Sequence, residues 1–164
     1  MPERRQPIVD RRIRFAVVGC GRIARNHFEA LAHHADRCEL VGVVDTDPAA
    51  RADAAARTGA TPHASLGELL AADEPGRRPD CVVLATPSGL HAQQAQEAAA
   101  AGRHVMTEKP MATRWADGLA MVRACDDAGV RLFVVKQNRR NRTLQLLKQA
   151  IQAGRFGRIY MVTV

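Results

Sequence analysis

Ile13-Arg14-Phe15-Ala16-Val17-Val18-Gly19-Cys20-Gly21-Arg22-Ile23-Ala24 is the stretch whose reading decides the fold. A strand-like apolar run passes directly into G-x-G-x-x-A and then into a helix-like segment. Short glycine patterns arise by chance, but one that follows a strand and opens a helix has the context of a dinucleotide-binding loop. Gly19 permits the tight turn, and Gly21 removes the Cβ that would hold a pyrophosphate away from the backbone. Ala24 is small enough for close helix–strand packing. The anion then rests on unpaired N–H groups at the helix start. Gly19, Gly21, Arg22 and Ile23 are therefore the candidate phosphate-binding residues.

Outward from this loop, strand-like and helix-like segments alternate, the pattern of a parallel sheet covered by helices. The expected strands are Ile13–Val18, Leu40–Asp45, a short piece at Thr61–His63, Cys81–Ala85, His104–Met106 and Arg131–Val135. Most are continuously apolar, as strands buried on both faces should be. The expected fold class is α/β, a doubly wound parallel sheet of the Rossmann dinucleotide-binding type. Helix signals lie between the strands. Asp47-Pro48 offers an N-cap with proline at the first helical position, and Gly59 a stop. Ser65 and Glu68 have capping-box spacing. Thr113 is placed to cap a helix carrying Trp115, Leu119 and Val122 on one face and closed by Gly129. Leu144, Leu147 and Ile151 repeat that spacing before Gly154. Pro75–Pro79 reads as a polar turn.

The domain plan that follows is a frayed lead-in over residues 1–12, a dinucleotide-binding domain over 13–155, and at 156–164 the first strand of a C-terminal domain otherwise absent. Arg158–Val164 is strand-like but has no place in a six-strand sheet.

The second strand ends in Asp45. A carboxylate there accepts hydrogen bonds from the adenosine ribose and repels a 2′-phosphate, which favours NAD over NADP. The net charge of +7 is carried largely by scattered arginines, with no aromatic residues interleaved among them. It lacks the rest of a nucleic-acid footprint, so no nucleic-acid partner is expected. No apolar run approaches the ~18 residues of a membrane span, and residues 1–12 lack the apolar core of a signal peptide. Cys20, Cys38, Cys81 and Cys125 are scattered, so neither a disulfide framework nor a metal site is expected, and reduced cytoplasmic thiols are the plain reading. Cys81 and Cys125 read as core residues, and Cys20 as a packing residue inside the loop.

Three further motifs follow later strands: Thr86-Pro87-Ser88-Gly89-Leu90-His91, Glu108-Lys109-Pro110 and Lys136-Gln137-Asn138-Arg139-Arg140-Asn141. With the glycine loop they resemble the glucose–fructose oxidoreductase, inositol dehydrogenase and rhizopine-catabolism (Gfo/Idh/MocA) family over about residues 13–164. Within it, Thr86–His91 and Lys136–Asn141 look like the corresponding loops of UDP-N-acetylglucosaminuronic acid 3-dehydrogenases. Those enzymes oxidise the sugar C3 hydroxyl with tightly held NAD in bacterial polysaccharide synthesis, some recycling the cofactor with 2-oxoglutarate.

The resemblance implies a catalytic, substrate-contacting Lys109, partly buried beside the nicotinamide. There it exchanges a proton with lowered basicity, or stays charged and stabilises the alkoxide. Glu108 is expected to bond a ribose hydroxyl of the nicotinamide half, with a surface pairing to an arginine as the structural alternative. Thr86, Pro87 and His91 would wall the cofactor, His91 otherwise being a first-turn helix residue. Gln137, Asn138, Arg139 and Arg140 are substrate-binding candidates, since arginine's planar fork suits a diphosphate and a carboxylate. His27, His33, His34, His63 and His104 show no ligand spacing and read as packing or surface residues.

The family's catalytic constellation adds an Asp and a His, four residues apart, from a second domain that has no counterpart here. The chain alone is therefore expected to bind NAD(H) without turnover, and its full-length form to be a homo-oligomer. A free polyol substrate and a non-catalytic NAD-binding module are the alternatives.

Overall fold

A computed structural model describes residues 7–72 and 76–163. Residues 1–6 of the lead-in, the start of the expected turn at Pro75 and the last residue of the expected strand, Val164, lie outside the described residues. The chain divides into two compact units, one ending at Val134 and the other beginning at Val135.

The first unit is a parallel sheet of six strands: β1 (Ile13–Val18), β2 (Cys38–Val44), β3 (Thr61–His63), β4 (Cys81–Leu84), β5 (His104–Thr107) and β6 (Leu132–Val134). They stand in the order β3-β2-β1-β4-β5-β6. The helices are α1 (Ala24–His33), α2 (Pro48–Thr58), α3 (Leu66–Ala71), α4 (His91–Ala100) and α5 (Trp115–Asp127). Side chains alternate across the pleat, which splits the core in two. Ala16, Val18, Val44, Val82, Leu84 and Val105 pack with residues of α3, α4 and α5. Val17, Val43 and Val83 pack with Ala24 and Phe28 of α1 and Ala54 of α2. Because both faces are covered, the strands read as unbroken apolar runs. Cys81 and Cys125 are buried as expected, and burial pushes their thiols up to about 12 and about 11.

Most local signals act as expected. Asp47 accepts from the Ala49 N–H with Pro48 at the first helical position, and Gly59 closes α2 at φ 72°. The Ser65 hydroxyl accepts from Glu68 N, while the Glu68 carboxylate returns to Ala64 N, one residue before the cap.

Four expectations need correction. The cap of α5 is Arg114, without a side-chain bond, rather than Thr113. Its buried residues are Gly118, Met121 and Cys125, whereas Trp115, Leu119 and Val122 are exposed. An i, i+4, i+7 stripe marks an apolar face but not which neighbour covers it. The lead-in is not frayed throughout: the Arg11 guanidinium grips the Asp80 carboxylate at 2.7 and 2.9 Å, and Arg12 pairs with Glu39. Finally, residues 158–163 form no strand, since they have no ladder partner among the described residues and a strand is defined by its partner's hydrogen bonds.

The second unit contains a 3-10 turn at Gln137–Arg140 and α6 (Arg142–Gln152), capped by Asn141, whose side chain accepts from Thr143 N. α6 buries no residue; Leu144, Leu147 and Ile151 are exposed. No helix among the described residues is long and apolar enough to cross a membrane.

Candidate active site

The parallel register sets the site. Val18 is level with Val44 on one side and Leu84 on the other, and Leu84 is level with Thr107. The residues that follow, Asp45, Gly19, Ala85 and Glu108, therefore emerge side by side along one edge of the sheet, in the order β2-β1-β4-β5. Adjacent strands lie about 4.8 Å apart, so this row spans roughly 14 Å. From β1 the chain goes on to β2 on one side, while β4 lies on the other, so the edge is a topological switch point, where ligands bind in such sheets.

Gly19 has φ 91°, which disfavours any side chain, and an added Cβ would lie 2.8 Å from the Ala85 backbone. The loop therefore crosses the end of β4 in van der Waals contact. Gly21 differs: an added Cβ would meet nothing within 4 Å, because that face opens on a cleft of about 660 Å³. The N–H groups of Gly21, Arg22 and Ile23 find no acceptor among the described residues. Ile23 precedes α1 without a side-chain cap. Three free donors at a helix start, beside a position that tolerates no Cβ only if a ligand sits there, fit the diphosphate of a dinucleotide.

Asp45 both shapes and lines that cleft. Its Oδ2 accepts from Cys20 N at 2.7 Å and its Oδ1 from Asp47 N at 2.9 Å. The carboxylate thus holds the glycine loop and begins the α2 cap; each oxygen keeps a further acceptor site for a ribose hydroxyl. Cys20 is half-buried, its thiol pushed up to about 11 first by burial and then by Asp45, which agrees with a packing role.

Thr86 and Pro87 line the cleft, with the Thr86 hydroxyl donating to Gln94 Oε1 at 2.6 Å. A further part of the wall, missed from the sequence, is formed by Ser65, Leu66 and Gly67 at the start of α3 and by Gln93, Gln94 and Glu97 of α4. Its one available signal was the run of polar side chains on the first turns of the helix after Thr86–His91.

His91 does not wall the cofactor. It is 1% exposed, with Nδ1 3.0 Å from the Pro110 carbonyl and Nε2 2.9 Å from the Thr86 carbonyl, leaving no surface for a ligand. Glu108 is buried; its Oε1 lies 2.9 Å from His27 Nε2 and its Oε2 accepts from Lys109 N at 3.2 Å. That histidine partner was also missed, since His27 and Glu108 are 81 positions apart. Lys109, expected to be partly buried, is exposed at the end of β5; the peptide joining it to Pro110 is cis.

Gln137, Asn138, Arg139 and Arg140 belong to the second unit. There the Gln145 amide donates to the Arg139 carbonyl, and Asn138, Arg139, Leu144, Gln145 and Lys148 line a groove of about 400 Å³. All four candidate side chains are exposed.

A family model described as the oxidoreductase family with an NAD-binding Rossmann fold matches residues 13–136. The chain belongs to the Gfo/Idh/MocA oxidoreductase family. Its first unit is therefore the NAD-binding domain of that family, as the loop, cleft and strand order indicate. Among solved structures, it is similar to the WlbA dehydrogenase of Bordetella pertussis in complex with NADH and UDP-GlcNAcA. Identity is 64% and the TM-score 0.87, with 94% of this chain and 44% of that one covered. The WlbA dehydrogenase of Chromobacterium violaceum, in complex with the same two molecules, is 65% identical with the same TM-score and coverages. A curated relative, the 4-carboxy-2-hydroxymuconate-6-semialdehyde dehydrogenase of a Sphingobium species, is 33% identical over 87% of this chain and 44% of its own length. The chain thus spans 44% of the length of each of these relatives.

Proposed function

We propose that this chain is the cofactor-binding part of an NAD-dependent dehydrogenase that oxidises the C3 hydroxyl of UDP-N-acetylglucosaminuronate, for bacterial polysaccharide synthesis in the cytoplasm. The observation that carries the reading is the 64% identity, over 94% of this chain, to a dehydrogenase seen with NADH and UDP-GlcNAcA. Relatives in other branches of the family are only about half as similar.

The bound dinucleotide supplies the hydride acceptor. The N–H groups of Gly21, Arg22 and Ile23 hold its diphosphate, and Asp45 orients the adenosine ribose. Glu108, with acceptor capacity left beyond His27 and Lys109 N, takes a hydroxyl of the second ribose. Lys109 holds the proton at the C3 oxygen, accepting it as base or, as ammonium, stabilising the alkoxide. Arg139 and Arg140 offer planar forks to the diphosphate and carboxylate of the sugar nucleotide, with Gln137 and Asn138 as neutral donors. Recycling of NADH by 2-oxoglutarate and homo-oligomeric assembly complete the proposal.

The test uses the chain extended to the length of its relatives. NADH formation from UDP-N-acetylglucosaminuronate, absent with inositol and abolished by Lys109→Met, is the expected result. Turnover of inositol instead of the sugar nucleotide, or near-normal turnover by Lys109→Met, overturns it.

A further inference from the structure

The two residues flanking Lys109 are each held by a histidine from a different helix, and we propose that His27 and His91 are positioning residues that clamp this lysine and tie it to the dinucleotide site. The inference rests on the reading of Lys109 as the lysine at the reacting centre.

On one side, His27 of α1 meets Glu108 Oε1 at 2.9 Å, with both side chains nearly buried. The other oxygen of that carboxylate accepts from Lys109 N, so the histidine acts on the lysine backbone through one intervening group. On the other side, His91 at the start of α4 reaches the Pro110 carbonyl at 3.0 Å and the Thr86 carbonyl at 2.9 Å. Carbonyl oxygens only accept, so the ring bridges them through whichever N–H its tautomer presents. Lys109 itself extends an exposed, flexible stem, and its direction is set by the backbone at 108–110.

Each histidine also joins that turn to an element of the cofactor cleft. His27 lies in the first turn of α1, directly after the donors of Gly21, Arg22 and Ile23. Thr86, the far end of the His91 bridge, lines the cleft. A ligand that orders the glycine loop therefore acts on the lysine through two side chains, His27 and Glu108, and one that orders the Thr86 loop acts through His91 alone. Buried polar bridges of this kind hold one arrangement, because releasing a hydrogen-bonded end leaves a buried group unsatisfied.

The chain's only lysines are Lys109, Lys136 and Lys148, so lysine Cε labelling for NMR gives three signals, two of them internal controls. The wild-type chain is compared with His27→Gln and His91→Gln, with and without NADH, and thermal unfolding is followed on the same samples. In both variants the Lys109 signal is expected to move or broaden, and its displacement by NADH to be lost, while Lys136 and Lys148 stay in place. NADH affinity should fall less than about tenfold, because the lost bonds do not touch the phosphates. A lowered Tm with an unchanged Lys109 signal and an unchanged NADH response means that the histidines only support the fold, and overturns the proposal. Should His91→Gln not fold, His27→Gln decides alone by the same criterion. Absence of NADH binding by the wild-type chain would defeat the functional reading, and the Lys109 signal without NADH would still test the clamp.

Discussion

Gly19 and Gly21 differ by two positions but should fail in opposite ways when each is changed to alanine. At Gly19 the new methyl carries two costs. The backbone is at φ 91°, where an L side chain costs about 1–3 kcal/mol. The Cβ would also stand 2.8 Å from the carbonyl carbon and oxygen of Ala85 and 2.9 Å from Thr86 N, all backbone atoms of the sheet edge. Overpacking against such a wall adds about 1–3 kcal/mol. Together the loss is about 3 kcal/mol or more, near 6–12 °C in Tm for a chain of this size. At Gly21 φ is not positive and no atom lies within 4 Å of the new Cβ, so neither cost applies. Alanine there should leave stability unchanged or raise it by about 0.4–1 kcal/mol through the unfolded chain. Its methyl nevertheless stands where the diphosphate approaches. Displacing two charge-assisted hydrogen bonds of about 1.5 kcal/mol each weakens NADH about a hundredfold. Urea and thermal unfolding, with NADH fluorescence titration on the same samples, read both quantities. Two results would refute the reasoning: Gly21→Ala binding NADH like the wild type, or Gly21→Ala being as unstable as Gly19→Ala.

Asp45→Ser keeps a hydroxyl acceptor for Cys20 N but removes the charge, so NADH should weaken about tenfold while NADPH gains relative to it; an unaltered ratio in paired titrations removes Asp45 from cofactor selection. His63 is held below the usual histidine range, chiefly by burial and against the opposing effect of Glu68. Its neutral form is therefore the native one, and its contribution to stability is complete above the unfolded value near ~6.5 and lost as pH falls through that value towards the native one. His63→Gln should flatten the fall in urea midpoint between about pH 7.5 and 5.5, and an unchanged slope would place the effect elsewhere.

The elements were legible where short-range chemistry decides them. The apolar run into the glycine loop, the Asp47–Pro48 start of α2 and the Ser65–Glu68 pairing all act between residues a few positions apart. Trp115, Leu119 and Val122 were legible as a stripe but not as exposed, because burial depends on what packs against a helix. Likewise Arg158–Thr163 has strand-like residues without the partner that a ladder requires.

The sequence by itself determined the parallel sheet, the phosphate loop and the acid that ends β2. Each rests on a periodicity or a spacing that the backbone converts directly into geometry. Only the tertiary structure decided what surrounds Lys109. The glutamate before it pairs with a histidine 81 positions away, and the proline after it is bridged to Thr86 by a buried His91. Those contacts exist because the sheet brings the ends of β1, β4 and β5 to one edge, and sequence spacing alone carries no record of that proximity.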